Sequence, residues 1–230
     1  MAIDSPNGSY VKTDVSFESF FAKAAMAAYG WSPPREYPAL TEIMQQDRPA
    51  KGVYFIEYGL VKMSRLETGR EVIAGLRRRN WILGAPAVLL GKKYSFTGTA
   101  LVDCKIRHIS PERFLNLIET NREFSRHMLR MFSQEIYNYG KTFCNLCCLP
   151  AIDRLKRLLC EIMLEINQTS VHEKQVELNF PLKHKELAQM IAVTPEHLSR
   201  LLKQLERDGV IKRKKDLLVL NYNQSLAKEC

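Results

Sequence analysis

Apolar residues recur at helical spacing in two short stretches near the C-terminal end of the chain, and the break between them is as informative as the stretches. Leu187, Met190 and Ile191 share one helical face; Leu198, Leu201, Leu202 and Leu205 share another. Between them Thr194 stands as an N-cap and Pro195 as a first helical residue, where its missing N–H costs nothing. His197, Ser199, Arg200 and Lys203 fall off the leucine face. Asp208-Gly209 stops the second helix, and Val210-Ile211, a basic turn from Lys212 to Lys215, and Leu217 to Leu220 read as two short strands. The pattern predicts a winged helix-turn-helix, whose second helix buries one side and offers the other to a DNA major groove. A plain helical hairpin with a solvated polar face has the same periodicity. The cap, the proline, the glycine stop and the strand pair favour the DNA reading.

Upstream the period changes. Val53 to Ile56, Leu60 to Leu66, Glu71 to Leu76, Tyr94 to Ala100 and Cys104 to Ile109 are short β-prone runs separated by turn residues, which predicts an antiparallel barrel or roll. Before them, Phe17 to Tyr29 reads as a helix ended by Ser32-Pro33-Pro34. Arg77-Arg78-Arg79 reads as a solvated turn tip, with DNA flanks, polymerase or an anionic ligand as alternatives.

Pro111 to Cys144 predicts one or two helices. Leu129, Phe132, Ile136, Tyr139 and Phe143 recur at alternating steps of three and four, a heptad seam that calls for a partner helix, although part of it can pack on the roll of its own chain. Pro150 ends this run, and Ile152 to Ile166 begins a new amphipathic one. The expected fold is therefore α+β: an antiparallel β-roll sensor unit with an N-terminal helix over 1–111, a dimerisation helix region over 112–149, and a winged helix-turn-helix over 150–230.

Composition narrows the partners. A net charge of +9 favours a polyanion, and with the helix-turn-helix that means double-stranded DNA. No apolar run approaches the ~20 residues of a membrane helix, so no membrane partner is expected. The start, MAIDSPNGSYVKTD, lacks a basic cluster followed by an apolar stretch, so a secretion signal is not expected and the cytoplasm is the expected compartment. Reduced thiols follow as the default for the six cysteines. Of the five histidines only His108 lies in the strand region, which disfavours a cupin-like metal enzyme. No nucleophile with a base and an orienting acid stands out, so catalysis, a metal and a cofactor are not expected. Cys144, Cys147 and Cys148 leave two readings open: small buried hydrophobes, or a redox- or metal-responsive set near the hinge.

Four segments together resemble the CRP/FNR family of bacterial regulators: VYFIEYGLVKMSRLETGREVIAGL in the strand region, ILGAPAVLL after it, ISPERFLNLIETNREF entering the long helix, and LAQMIAVTPEHLSRLLKQLERDGVI at the DNA end. The resemblance covers about residues 50 to 222 and leaves 1 to 50 unassigned. It implies a cyclic-nucleotide-binding-like roll, a parallel homodimer and a recognition helix in which Glu196, Ser199 and Arg200 occupy the base-reading positions. The E-x-x-S-R spacing is similar to the FNR branch and implies a TTGAT-like inverted repeat. Arginine can grip guanine O6 and N7, glutamate can accept from cytosine N4, and serine can pack near a thymine methyl. Glu196 also fits a first-turn capping acid, and Arg200 a phosphate contact. Lys183, His184, Thr194, His197 and Lys203 are expected on the DNA backbone, and RNA polymerase is the expected further partner.

Cyclic-nucleotide binders of this family carry Gly-Glu to hold the ribose and Arg-Ser to hold the phosphate. The corresponding residues are Gly84-Ala85 and Tyr94-Ser95, which lack both charged groups, so a small-molecule effector other than cyclic AMP is expected. Tyr94, Thr97 and Thr99 from the roll and Tyr139 from the long helix are its candidate walls; for Tyr139 a dimer-core role fits equally well.

Overall fold

The computed structural model describes Met26 and residues 29–167, 175–179, 182–214 and 217–221. Two four-stranded antiparallel sheets form the roll. Arg35–Tyr37 (β1), Glu42–Met44 (β2), Val53–Tyr58 (β3), Val61–Glu67 (β4), Arg70–Arg77 (β5) and Ile82–Leu83 (β6) precede a short helix, Ala85–Leu89 (α1). Thr97–Ala100 (β7) and Cys104–Ile109 (β8) complete it. One sheet runs β1-β8-β3-β6 and the other β2-β7-β4-β5. Alternation puts Ile56, Val61, Met63, Leu83 and Ile106 into a common interior between the sheets.

Pro111–Thr120 (α2) and Arg122–Cys148 (α3) follow. The helical run expected from Pro111 is thus two helices. Asn121 leaves helical geometry at φ −111°, and its side-chain oxygen accepts from the Phe124 N–H at 2.9 Å, capping α3 as it ends α2. Phe114 of α2 and Phe124, Met128 and Met131 of α3 pack on Val53, Phe55 and Ile109 of the roll.

Ala151–Asn167 (α4), Gln175–Asn179 (β9), His184–Met190 (α5), Pro195–Arg207 (α6), Ile211–Lys214 (β10) and Leu217–Asn221 (β11) form the C-terminal unit. Its core gathers Leu155, Leu159 and Ile162 of α4, Leu187 and Ile191 of α5, and Leu198, Leu202 and Leu205 of α6. Strand β9 pairs antiparallel with β11 and widens the wing to three strands. The sequence over Gln175–Asn179 alternates apolar and polar only briefly, which periodicity alone did not resolve. Helix α6 ends in a Schellman motif: Gly209 at φ +70° lets its N–H reach the Glu206 carbonyl and the Val210 N–H reach that of Leu205.

The helix expected over 17–29 falls almost wholly outside the described residues, as does Lys215 of the basic turn. The heptad seam divides between two surfaces, and part of it packs on the roll of its own chain. Phe132 packs partly on the roll core, and Tyr139, 45% exposed, has its hydroxyl bonded to Arg77 of the roll. The outward stripe of α3 is Leu129, Ile136 and Phe143, which are 67%, 71% and 69% exposed.

Because Leu198 is fully buried between three helices, Leu198→Ala should cost about 2–5 kcal/mol. Leu66→Ala, at a residue 61% exposed, should stay within about 0.5 kcal/mol. Thermal unfolding of the two variants checks this; equal losses would mean that the C-terminal core is not packed as described.

Candidate nucleic-acid interface

Helix α6 starts where its sequence said it would. The Thr194 hydroxyl accepts from the His197 N–H at 3.2 Å, and Pro195 occupies the first turn. Leu198, Leu201, Leu202 and Leu205 turn inward, leaving Glu196, His197, Arg200 and Lys203 exposed on the opposite side. Ser199 is half-buried: its hydroxyl donates to the Pro195 carbonyl at 3.1 Å and lies 3.3 Å from His184 Nε2, tying α6 to the start of α5. The tight turn between the helices passes through Ala192 at φ +52°.

Glu196 is engaged in the helix start. Its own backbone N–H and then the Thr194 hydroxyl bond its carboxyl and hold it below the usual carboxylate range, with Arg200 and His184 adding to the shift. To read a cytosine it would exchange these bonds for one to the base. Arg200 and Lys203 carry exposed positive charge on the same face.

Sequence reasoning missed what lies behind α5. Lys183 N–H donates to Glu186 Oε2 at 2.7 Å, capping the helix, while Glu186 Oε1 takes the Lys62 ammonium of β4 at 2.5 Å. Lys62 also reaches Glu71 Oε1 of β5 at 3.0 Å and is only 8% exposed. Burial alone would lower the Lys62 pKa; the hydrogen bonds it donates to Glu186 and Glu71 outweigh it, and the net shift is upward. Leu60 and Leu101 of the roll join the same apolar cluster as α4, α5 and α6. The helix-turn-helix is therefore docked on the outer face of the β4–β5 sheet through an apolar contact and a cation held between two carboxylates. The one signal in the sequence was a lone lysine inside the apolar run Leu60 to Met63.

A second cation, Arg77, grips α3. Its guanidinium lies 2.7 Å from Glu135 Oε1 and 2.7 Å from the Tyr139 hydroxyl, and stacks near the rings of Trp81 and Tyr139. Arg77 is thus a half-buried tie between β5 and α3 and not a solvated tip, because a carboxylate, a phenol and two aromatic faces converge on it.

The positions expected around an effector come together only in part. Gly84 and Tyr94 are neighbours: a Cβ added to Gly84, at φ +80°, would stand 2.9 Å from Tyr94 Cε1. The Tyr94 ring fills that space, and its hydroxyl donates to the Gly52 carbonyl at 2.7 Å and accepts from the Gly52 N–H at 3.1 Å. Ala85 is fully buried. Thr97 Oγ1 accepts from the Gln46 N–H at 3.1 Å, the Ser95 carbonyl accepts from Arg65 at 3.0 Å, and Thr99 is half-buried opposite Lys62. Tyr139 is held at Arg77. Two open clefts, of about 580 and about 340 Å3, lie elsewhere, around Gly30 and Arg113, and none of these seven residues lines them.

Among the described residues no three His, Cys, Asp or Glu side chains gather as a metal site. Cys104, Cys144, Cys147 and Cys148 are free thiols, the last three exposed near the end of α3, so the reading of that trio as buried hydrophobes is corrected. Cys160, buried in the C-terminal core, is disulfide-bonded and departs from the expectation of reduced thiols throughout.

The family model of the cyclic nucleotide-binding domain matches residues 34–121, and that of the Crp-like helix-turn-helix domain matches residues 153–224. This chain belongs to the CRP/FNR family of transcription regulators. The global nitrogen regulator of Nostoc sp. (strain PCC 7120) is 25% identical over 209 residues, covering 84% of this chain and 90% of that protein. The cAMP-activated global transcriptional regulator CRP of Pasteurella multocida is 22% identical over 178 residues, covering 76% and 84%. FixK2 from Bradyrhizobium japonicum shares the fold with a TM-score of 0.70 at 21% identity, over 84% of this chain and 94% of that one. For a CRP/FNR protein, the roll here carries no acid at Ala85 and no guanidinium at Tyr94, and the Tyr94 ring occupies the space beside Gly84. No helix among the described residues is long and apolar enough to cross a membrane.

The Lys62 cluster gives a pH signature. Burial would raise the Glu71 carboxyl, but hydrogen bonds from Lys62 and Ser64 pull it below its ordinary 4.5. Its contribution is therefore present above pH 4.5 and fades as pH falls through the lower folded value. Lys62, raised above 10.5, loses its contribution only on the alkaline side of that value. Glu186→Gln, which keeps an acceptor for the Lys183 N–H, should cost about 1–3 kcal/mol at neutral pH. Glu71→Gln, at a more exposed site, should cost under about 1 kcal/mol, and the wild-type advantage over it should start to fade below pH 4.5 and vanish once pH has fallen through the lower folded value. Denaturant unfolding across pH checks both; an advantage over Glu71→Gln that grew in acid would contradict the assignment.

Proposed function

We propose that this CRP/FNR regulator is a homodimer that reads an inverted repeat through the exposed face of α6. The observation that supports this most is the helix itself: capped by Thr194, fixed by four buried leucines and presenting Arg200 with Lys203 and His197 on its free side. Arg200 grips a guanine; Ser199 and Glu196 complete the base contacts once Glu196 leaves its cap. Lys183, His184, Thr194, His197 and Lys203 hold phosphates, which position the protein without selecting sequence. The half-site is TTGAT-like.

The outward stripe of α3 supports a parallel homodimer, since three large apolar side chains spaced seven apart are about two-thirds exposed. Residues 1–111 sense, 112–149 dimerise and 150–230 read DNA. The sensed molecule is an effector other than cyclic AMP: with Ala85 and Tyr94 in place of an acid and a guanidinium, nothing at these positions bonds a ribose diol or neutralises a phosphate. RNA polymerase is the further partner, and the cytoplasm is the compartment.

Fluorescence anisotropy with a duplex carrying two TTGAT-like half-sites, at stated salt, tests the reading. Arg200→Ala should cost about 1–3 kcal/mol of discrimination at the guanine, whereas Lys203→Ala should weaken all duplexes alike and flatten the salt dependence by about one unit. An Arg200→Ala protein that discriminates as well as wild type would remove base reading from this residue.

A further inference from the structure

With Phe132 and the Tyr139 hydroxyl engaged by the roll, the uncovered face of α3 carries a second register. Leu129, Ser133, Ile136, Gly140, Phe143 and Cys147 follow steps of four, three, four, three and four, an unbroken heptad seam in which all six residues are exposed. Leu129, Ile136 and Phe143 supply the bulk; Ser133 and Gly140, whose Cβ position meets nothing within 4 Å, let two backbones approach. In a parallel two-stranded pair every seam residue meets its own counterpart across the two-fold axis. The last seam residue is Cys147.

We propose that Cys147 and the partner's Cys147 form a disulfide across the dimer axis when a hydroperoxide oxidises them. The inference rests on the homodimer proposed above. Cys144 and Cys148 lie on the same turn but are rotated by about 60° and about 100° from Cys147, toward solvent and away from the seam. Only Cys147 is in register to bring two Cα atoms within the ~4.4–6.8 Å that a disulfide spans. It is also the penultimate residue of α3, at the open end of the helix pair, where a small peroxide has access. One Cys147 thiolate attacks the peroxide oxygen, the O–O bond breaks and an alcohol or water leaves, giving a sulfenic acid. The opposing thiolate then attacks that sulfur, the S–O bond breaks and the oxygen departs as water. Two thiols lose two electrons and two protons, and the peroxide is reduced.

The position gives the bond a reach beyond α3. Arg154 of α4 donates to the Leu146 carbonyl at 2.7 Å and Arg157 to the Asn145 side chain at 3.3 Å, so the last turn of α3 is tied to the first helix of the DNA-binding unit. A link at Cys147 fixes the distance between the two points where the chain turns, at Leu149-Pro150, into those units.

The test treats full-length protein with hydrogen peroxide and separates it on a denaturing, non-reducing gel, after light scattering of the reduced protein has given its mass in solution. Wild type and the double variant Cys144→Ser/Cys148→Ser should both run at twice the monomer mass and return to monomer with dithiothreitol; Cys147→Ser should run as monomer throughout. Retention of the link in Cys147→Ser, or its loss in the double variant alone, overturns the assignment. A reduced wild type that scatters as a dimer yet never links overturns the disulfide and leaves the dimer standing. A reduced wild type that scatters as a monomer overturns the homodimer and the disulfide with it.

Discussion

A single helix has to satisfy two surfaces at once. The first half of α3 buries Phe124, His127, Met128 and Met131 against the roll, but from Ile136 to Cys144 every residue is exposed. A helical stretch of that length has little stability of its own in water, since nucleation is costly and packing supplies most of the stability of helices in proteins. Among the described residues, Arg77 in the middle and Arg154 and Arg157 at the end make polar contacts to it. The apolar stripe between those contacts is what a second copy would cover in the proposed homodimer.

The roll holds both of the elements it would have to control. Strands β4 and β5 pair Val61 with Arg77 and Lys62 with Leu76, so two adjacent rungs of one ladder carry cations that reach out of the roll. Arg77 goes to Glu135 and Tyr139 of α3, and Lys62 goes to Glu186 at the start of α5. Glu186 simultaneously caps the helix that supports the recognition helix through His184 and Ser199. A ligand that binds differently to two arrangements of this strand pair would bias the α3 contact and the helix-turn-helix contact together, which is the differential affinity a switch requires.

The DNA-reading unit was legible in the chain because its signals are local: leucine spacing, Thr194-Pro195 at one end and Asp208-Gly209 at the other all agree within about one turn. The roll strands were legible for the same reason, while β9 is too short and too polar to announce itself before β11 pairs with it. Two features were hidden by distance. Lys62 and Glu186 are 124 residues apart, so neither could be matched to the other from the sequence. The α3 seam was ambiguous because Leu129, Ile136 and Phe143 belong to two heptad registers, one continued by Phe132 and Tyr139 and the other by Ser133, Gly140 and Cys147. Tertiary contacts separate them, since the roll engages Phe132 and the Tyr139 hydroxyl while Ser133, Gly140 and Cys147 stay exposed. At the positions expected around an effector, the absence of an acid and a guanidinium could be read directly; that the Tyr94 ring closes over Gly84 could not.

The most direct test of the central claim is selection of binding sequences from random duplex DNA by the purified protein at stated salt, repeated in crude cell extract that supplies small-molecule effectors. A two-fold inverted repeat with TTGAT-like arms spaced about one helical turn apart is the predicted outcome. Enrichment of an asymmetric single site, or of no sequence under either condition, would contradict a dimer that reads DNA through α6.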